Sequence, residues 1–215
     1  MTEYSAKLQV DADIHYTFKN YVDIGRWNSY YYQINEVLAL TPKTVLIVGV
    51  GDNIVREILA KQGLKVFTFD FDEKLHPDFL GNVEEIENIL KGKQFDVIVC
   101  FQVLEHIPYN QFENILNQFS KIANNSIISL PYASIEYYLS FKLPVIKTVR
   151  IQIRISKFYV KHKFNGEHYW EIGKKGFSKS KIKKSIDKFF DIQKEFCPPH
   201  NSYHLFFVLK KNNSK

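Results

Sequence analysis

The sequence predicts an α/β fold, in which a mainly parallel sheet carries helices on both faces. Short apolar runs alternate along the chain with longer segments of helical period, which is the pattern of successive strand–helix–strand units. The run over residues 44–49 is continuous and rich in β-branched residues, as expected of a strand buried on both faces. A turn containing Gly49 and Gly51 follows this strand directly, and a helical segment comes next.

The remaining elements follow from the same two patterns in chain order. Helices are predicted over residues 16–39, 53–62, 84–91, 109–123 and 178–189, where apolar residues recur at helical spacing. Strands are predicted over residues 44–49, 65–69, 78–83, 95–101, 126–130, 191–196 and 203–210, which are short apolar runs bounded by turn residues. Residues 149–155 alternate apolar and polar side chains, which favours a strand and leaves a helix open.

A few residues set the boundaries of these elements. Gly63 supplies the stop for the helix over residues 53–62, Asp70 closes the second strand, and Pro131 ends the strand over residues 126–130. The last two strands are joined by a short turn, so they are expected to be antiparallel neighbours.

Length and composition favour a single cytoplasmic domain. The chain has 215 residues, of which 45% are apolar, enough for one core. Its two cysteines form no CxxC pair, which argues against a disulfide framework and a structural zinc site. We see no signal-peptide pattern near the N-terminus and no apolar run long enough to cross a bilayer, so a cytoplasmic location is expected.

The net charge of +6 is unevenly distributed. Residues 142–188 hold 14 of the 29 lysines and arginines but only three acidic residues, which gives this segment a charge of +11 and leaves −5 on the rest. One interpretation is a solvated face. The other is a platform for an anionic partner, such as nucleic acid, a phosphorylated glycan or a membrane surface.

The carboxyl ends of the predicted strands indicate a nucleoside site. Ligands of such sheets bind outside these ends, where Gly49, Gly51 and Asp70 would lie together. Ile54 stands where a dinucleotide-binding motif needs its third glycine, which argues against NAD(P). Asp70 follows the glycine turn by about 20 residues, the position of a carboxylate that binds a ribose diol.

Four segments together resemble a known family. They read VLIVGVGDN, VFTFDFD, PDFLGNV and FDVIVCFQVLEHI, and they are similar to the motifs of class I S-adenosylmethionine-dependent methyltransferases, most like the type 11 group of small bacterial and archaeal members. The resemblance covers roughly residues 25–210. It implies a Rossmann-like sheet of strand order 3-2-1-4-5-7-6 with the last strand antiparallel, a single methyltransferase-like domain over residues 1–215, and S-adenosyl-L-methionine as the cofactor.

The resemblance also implies a role for particular residues. It assigns cofactor binding to Gly49, Val50, Gly51, Asp70, Phe71, Asn82, Val83, Phe101 and Gln102. Asp70 would bind the ribose hydroxyls, Phe71 would lie against the adenine, and the glycines would pass beneath the methionine portion. Residues 1–41 would form a helical cover with Trp27 and Tyr30, and the basic, aromatic insertion 132–177 would lie near the acceptor.

Three positions depart from the family pattern. Ile47 replaces an acidic residue that anchors the amino-acid end of the cofactor, Asn53 replaces the third glycine, and Asn82 replaces an adenine-binding aspartate. These departures leave open a non-catalytic binding module that has kept the fold.

Glu105, His106 and His168 are the candidate catalytic residues. Gln102, Glu105 and His106 have the spacing of one helical face next to the methyl group. This arrangement resembles the metal-binding cluster of some related O-methyltransferases, with His168 as the further histidine, but Gln102 is a weak ligand for a hard metal and no metal site is predicted. The patch over residues 168–171 is interpreted either as a platform for a sugar ring or as core packing.

The resulting hypothesis is an S-adenosylmethionine-dependent O-methyltransferase that acts on a small molecule or a saccharide. A methyltransferase acting on RNA or on a lipid-linked acceptor is the alternative enzyme, in which the segment 142–188 would bind an anionic scaffold or a membrane surface. The methyltransferase-like binding module remains the non-enzymatic alternative.

Overall fold

The computed structural model describes residues 8–142, 149–164 and 166–212. Within them the strands are β1 (Thr44–Val48), β2 (Lys65–Asp70), β3 (Phe79–Leu80), β4 (Phe95–Phe101), β5 (Ala123–Pro131), β6 (Ser134–Phe141), β7 (Val149–Ser156), β8 (Phe190–Phe196) and β9 (His204–Lys211). The α-helices are α1 (Ala12–His15), α2 (Phe18–Tyr21), α3 (Ile24–Ala39), α4 (Ile54–Lys61), α5 (Ile86–Leu90), α6 (Phe112–Ile122) and α7 (Lys179–Ile186).

The main sheet has seven strands in the order β3-β2-β1-β4-β5-β9-β8. Strands β3, β2, β1, β4 and β5 are parallel, whereas β9 runs antiparallel to both β5 and β8. The seventh strand of the main sheet is therefore inserted between the fifth and the sixth. This confirms the predicted order and the antiparallel last strand.

Strand β1 shows why the sheet reads as continuous apolar runs. Leu46 and Val48 face one core, and Val45 and Ile47 face another on the opposite side of the sheet. All four side chains are at most 4% exposed. Because helices cover this strand on both faces, residues 45–48 all enter an apolar core, which is the reason for the unbroken run.

The N-terminal helix is shorter than predicted. The predicted helix over residues 16–39 is divided into α2 and α3, because Asp23 is extended and acts as the N-cap of α3. The Asp23 Oδ1 accepts a hydrogen bond from the backbone N–H of Arg26 at 2.6 Å. The capping side chain thus starts a new helix within the predicted one.

The third strand is also shorter than the predicted 78–83. The Asp78 side chain accepts bonds from the backbone N–H and the hydroxyl of Thr68, at 2.8 and 2.9 Å. Gly81 has a φ of 158°, and Asn82 caps a 3₁₀ turn at residues 83–85. Only Phe79–Leu80 remains in the sheet.

Strands β6 and β7 form a separate two-stranded antiparallel sheet. The alternating segment 149–155 is therefore a strand, as its period favoured, and its partner β6 was not predicted. In the parts of the chain described, no helix combines the length and the apolar character needed to cross a bilayer.

Candidate active site

A glycine turn follows β1 at the carboxyl edge of the sheet. Gly49 and Gly51 have φ values of 86° and 58°, which favour glycine. A Cβ added at Gly49 would lie 2.5 Å from the Cγ2 of Val103, just beyond β4. Asn53 also has a positive φ, of 67°, and is the N-cap residue of α4. The turn therefore passes close to the end of β4.

Asp70 joins the glycine turn to the end of β2. Its Oδ2 accepts a hydrogen bond from the backbone N–H of Val50 at 2.8 Å, and its Oδ1 accepts one from Asp72 at 3.0 Å. Burial raises the pKa of this carboxyl, although the backbone bonds act in the opposite direction. The next residue, Phe71, is 46% exposed, so its ring is accessible at the same edge.

Asn82 and Val83 lie next to β2. The backbone N–H of Gly81 donates to the carbonyl of Asp70 at 2.8 Å, which brings this segment to the strand. The Asn82 side chain accepts from the backbone N–H of Glu84 at 3.2 Å and donates to its carboxylate at 2.9 Å. Val83 is buried in the core. Asn82 is therefore a turn residue whose side chain is already bonded.

The predicted helical face of Gln102, Glu105 and His106 is wrong. After Phe101, Gln102 has a φ of 55°, and its Nε2 donates to the hydroxyl of Ser129 at 3.1 Å. Glu105 and His106 belong to a single 3₁₀ turn. The left-handed residue breaks any helix at this point, so Gln102 does not share a helical face with the other two.

Three side chains of the N-terminal segment lie at the glycine turn. The Tyr30 hydroxyl donates to Asp52 Oδ2 at 2.5 Å. The Tyr21 hydroxyl lies 3.9 Å from the position of a Cβ added at Gly51. The guanidinium of Arg26 lies 3.8 Å from the centre of the Tyr21 ring. Residues of α2 and α3 thus contact the loop that the sequence assigned to the cofactor.

Glu105, His106 and His168 meet, although His168 lies far along the chain. The rings of the two histidines are edge to face, with their centres 4.8 Å apart. Two hydrogen bonds hold the segments together: Tyr169 N donates to the carbonyl of Glu105 at 2.8 Å, and Trp170 Nε1 donates to the carbonyl of Ile107 at 3.0 Å. The three predicted catalytic residues therefore form one cluster, which we call the Glu-His-His cluster.

Glu105 is fully buried within this cluster. Neither of its carboxylate oxygens has a hydrogen-bond partner among the described residues. Burial raises its pKa to about 8, with only a partial opposing effect from His168. Glu105 therefore keeps its proton at neutral pH.

His106 is neutral, and its tautomer follows from Gln9. The Nε2 of Gln9 donates to the carbonyl of Glu167 at 3.1 Å, so its Oε1 accepts from His106 Nδ1 at 2.5 Å. Burial and the neighbouring His168 lower the pKa of His106 to about 4. The proton of the neutral ring is on Nδ1, and Nε2 carries the lone pair, 4.0 Å from a carboxyl oxygen of Glu105.

His168 forms an ion pair with Glu171. Burial lowers the His168 pKa, but the bond to Glu171 and the nearby carboxylates outweigh it and raise the pKa above its usual value. Its Nδ1 lies 3.4 Å from Glu171 and 3.3 Å from the Tyr203 hydroxyl. Despite burial, His168 and Lys174 lower the pKa of Glu171 to about 2, so Glu171 is ionised at neutral pH and favours the protonated form of His168.

The Glu-His-His cluster has the spacing of a metal site as well as of a proton-transfer site. One ligand atom from each residue lies within 4.8 Å of the others. A metal ion needs these ligands without their protons, so it would have to displace the proton that burial keeps on Glu105. The lone pair of His106 is available to accept a proton without such a loss.

At Trp170 the structure decides between a platform for a sugar ring and core packing, the two interpretations of residues 168–171. Trp170 is fully buried, and its ring contacts Tyr109 and Phe112 at centre distances of 5.1 and 5.2 Å. It cannot stack on an acceptor, so core packing is the correct interpretation for this residue.

Sequence reasoning missed several residues that shape the site. They are Gln9, Tyr21, Asp52 and Tyr203. Asp52 follows Gly51 directly in the sequence, so its position beside the glycine turn could have identified it as a site residue. The others come from distant parts of the chain with no motif, so only the fold brings them here.

A family model described as a methyltransferase domain matches residues 30–143. The ubiquinone biosynthesis O-methyltransferases of Pseudomonas paraeruginosa and Histophilus somni are 35% and 36% identical over 35% and 32% of this chain. The matched regions span 38% and 36% of those relatives, little more than a third of their length.

Solved structures resemble the chain over most of its length. An S-adenosylmethionine-dependent methyltransferase from Clostridium acetobutylicum has a TM-score of 0.57 at 11% identity, covering 93% of this chain and 96% of that one. Magnesium protoporphyrin IX methyltransferase from Synechocystis, with bound S-adenosylmethionine, has a TM-score of 0.58 at 15% identity, covering 88% and 81%. At this identity the likeness concerns the fold.

Proposed function

We propose that this chain, which belongs to the methyltransferase domain family, transfers a methyl group from S-adenosylmethionine to a hydroxyl oxygen of a small molecule or saccharide. The family and the fold class predicted from the sequence are confirmed. The observation that carries this proposal is the Glu-His-His cluster. Glu105, the first residue of the cluster, follows Val103 by two positions in the chain. The side chain of Val103 lies against Gly49 of the glycine turn. The methyl donor and the group that takes the acceptor's proton would thus share one edge of the sheet.

The glycine turn and Asp70 fit the cofactor. A Cβ added at Gly51 would have only the Tyr21 hydroxyl within 4 Å among the described residues, so the backbone there would be open to the ligand, whereas Gly49 lies against Val103. The Asp70 carboxylate has lone pairs beyond the two that its backbone bonds use, and these would accept the ribose hydroxyls. Phe71 would lie against the adenine, and the described part of the N-terminal segment, residues 8–41, would cover the site through Tyr21 and Tyr30.

Bound S-adenosylmethionine supplies a methyl group on a sulfonium, which is already a good leaving group. The protein therefore has to hold the acceptor oxygen in line and accept its proton. His106 Nε2 is the atom that would accept it. Its low pKa suffices, because the hydroxyl proton becomes strongly acidic as the oxygen gains its new bond to carbon. Two relatives named as O-methyltransferases support a hydroxyl acceptor.

The test measures S-adenosylhomocysteine formation with a panel of phenols, catechols and sugars. His106→Ala should lower kcat by about 10²–10³-fold, the usual size of a general-base contribution, and should leave cofactor affinity by calorimetry unchanged. His76→Ala is the matched control, because His76 is exposed and lies outside the cluster. Cofactor binding without turnover for any acceptor would favour the binding module instead.

The cluster's ligand spacing favours one second role, a divalent metal site. Activity that a chelator abolishes and magnesium restores would assign the cluster to a metal. Activity indifferent to both would leave proton transfer as its role.

A further inference from the structure

The hairpin of β6 and β7 has one face made entirely of apolar side chains. The strands pair so that Ile135 lies opposite Ile155, and every second pair along the ladder continues the same face. The members of this apolar face are Ile135, Tyr137, Leu139, Phe141, Val149, Ile151, Ile153 and Ile155.

The apolar face is exposed along its whole length. Each of its eight side chains is between 39% and 58% exposed. No other part of the described chain therefore covers the face. Phe158 and Tyr159, just beyond β7, are 70% and 64% exposed and add to the same apolar region. Contiguous apolar surface of this kind marks an interaction site.

The side chains described on the opposite face are polar: Ser134, Glu136, Ser140, Arg154 and Ser156. Glu136 and Arg154 form an ion pair there at 3.3 Å. The root of the hairpin is fixed by a hydrogen bond between the hydroxyls of Tyr132 and Ser156 at 3.1 Å. The hairpin is therefore an amphipathic arm anchored directly after β5, at the carboxyl edge of the sheet.

The charge around the arm decides what covers it. The segment 142–188, which includes β7, has a charge of +11. A second copy of the chain would bring two such segments together, and their repulsion would oppose the contact. Single-stranded nucleic acid is bound by stacked aromatic rings, whereas six of the eight residues of this face are aliphatic. An anionic lipid surface suits both an aliphatic face and the positive charge of the segment that carries it.

We propose that the β6–β7 hairpin docks the protein on an anionic membrane surface. The apolar face enters the interfacial region of the bilayer, and exposed lysines of the segment 142–188, such as Lys161 and Lys163 just beyond β7, contact the lipid headgroups. This docking is independent of the proposed methyl transfer.

Vesicle sedimentation tests the proposal. The whole protein should bind phosphatidylcholine vesicles that contain about 30% phosphatidylglycerol, bind pure phosphatidylcholine more weakly, and lose affinity between about 0.05 and 0.5 M salt. Leu139→Gln combined with Ile151→Gln removes two side chains that lie opposite each other on the apolar face. This pair should weaken binding at least about tenfold, whereas Ser140→Gln on the polar face should change it less than about twofold.

A fluorescent reporter keeps the proposal testable if the double variant unfolds. Cys100 and Cys197 are buried, so a thiol-reactive NBD dye would label a cysteine introduced by Leu139→Cys or Ser140→Cys. On adding anionic vesicles, the emission of the Leu139→Cys protein should shift to the blue and that of the Ser140→Cys protein should not.

Three results would overturn the proposal. They are the absence of vesicle binding, equal shifts of the two reporters, and a dimer in ultracentrifugation that the Leu139→Gln and Ile151→Gln changes dissociate. If the first of these results is accompanied by binding to an RNA oligonucleotide, the arm is assigned to that partner.

Discussion

Glu105 is the residue with the least favourable environment among those described at the site. A fully buried carboxyl group without hydrogen-bond partners costs free energy of folding, and such groups concentrate at functional sites. The cost depends on pH. The pKa rises from 4.5 in the unfolded chain to about 8 in the folded protein. Between these values the folded state holds a proton that the unfolded state has lost, so this residue's contribution to stability falls as the pH rises.

Glu105→Gln should therefore stabilise the protein, and more at pH 8 than at pH 5. We expect a gain of about 3 kcal/mol at pH 8, with little difference from the wild type at the lower pH. Urea unfolding at both pH values measures it. Glu85→Gln is the matched control on an exposed glutamate and should show no such difference. A stability gain that is the same at both pH values would contradict the assigned protonation.

Ile47 departs from the family pattern, and its environment explains how the chain uses this position. It is 4% exposed and packs in the core with Val45 and Val99. Ile47→Glu would bury a carboxylate among apolar side chains and should cost about 3 kcal/mol or more in unfolding free energy, with no gain in cofactor affinity. Ile47→Val should cost only about 1 kcal/mol. Tighter cofactor binding by Ile47→Glu would show that an anchor is missing at this position.

The identities of the catalytic candidates could be predicted, but their protonation could not. Glu105 and His106 follow a recognisable strand in the sequence, and His168 was placed by its distance along the chain. The tautomer of His106 depends on Gln9, and the charge of His168 depends on Glu171. These contacts join parts of the chain that share no motif.

At the scale of elements, burial on two faces made the main sheet predictable. Strands β1 and β4 are covered on both sides, so residues 45–48 and 97–101 are unbroken apolar runs. Strand β6 was missed because its apolar face is exposed, so no continuous apolar run marks it in the sequence. The division of the N-terminal helix depended on the cap at Asp23, which a helical period does not reveal.

The turn between β1 and α4 gives the prediction at this scale. Gly49→Ala combines a positive φ with a Cβ placed 2.5 Å from Val103. Gly63→Ala is a matched control, because its φ of 85° is nearly the same as the 86° of Gly49 but its Cβ would meet nothing within 4 Å. Gly63→Ala should cost about 1 kcal/mol, and Gly49→Ala about 1–3 kcal/mol more because of overpacking. Chemical unfolding measures both, and equal losses would show that the close approach to Val103 is relaxed at little cost.

At the scale of the whole molecule, the amino and carboxyl edges of the parallel strands can be compared through two aspartates. Asp96 stands at the start of β4 and accepts bonds from the backbone N–H groups of Lys43 and Thr44, both at 2.8 Å. Asp70 stands at the opposite edge and bonds two backbone N–H groups in a similar way. The two aspartates thus have similar local bonding, and only Asp70 lies where the cofactor is proposed to bind.

This pair tests the cofactor site through the stability of the whole protein. S-adenosylhomocysteine at about 100 times its Kd should stabilise the fold by about 2.7 kcal/mol and raise Tm by about 5–10 °C for a chain of this size. Asp70→Ala and Asp96→Ala should both lower the Tm of the free protein, because each leaves backbone N–H groups without a partner. Only Asp70→Ala should also abolish most of the shift on adding the ligand. An undiminished shift in Asp70→Ala would place the cofactor elsewhere on the molecule.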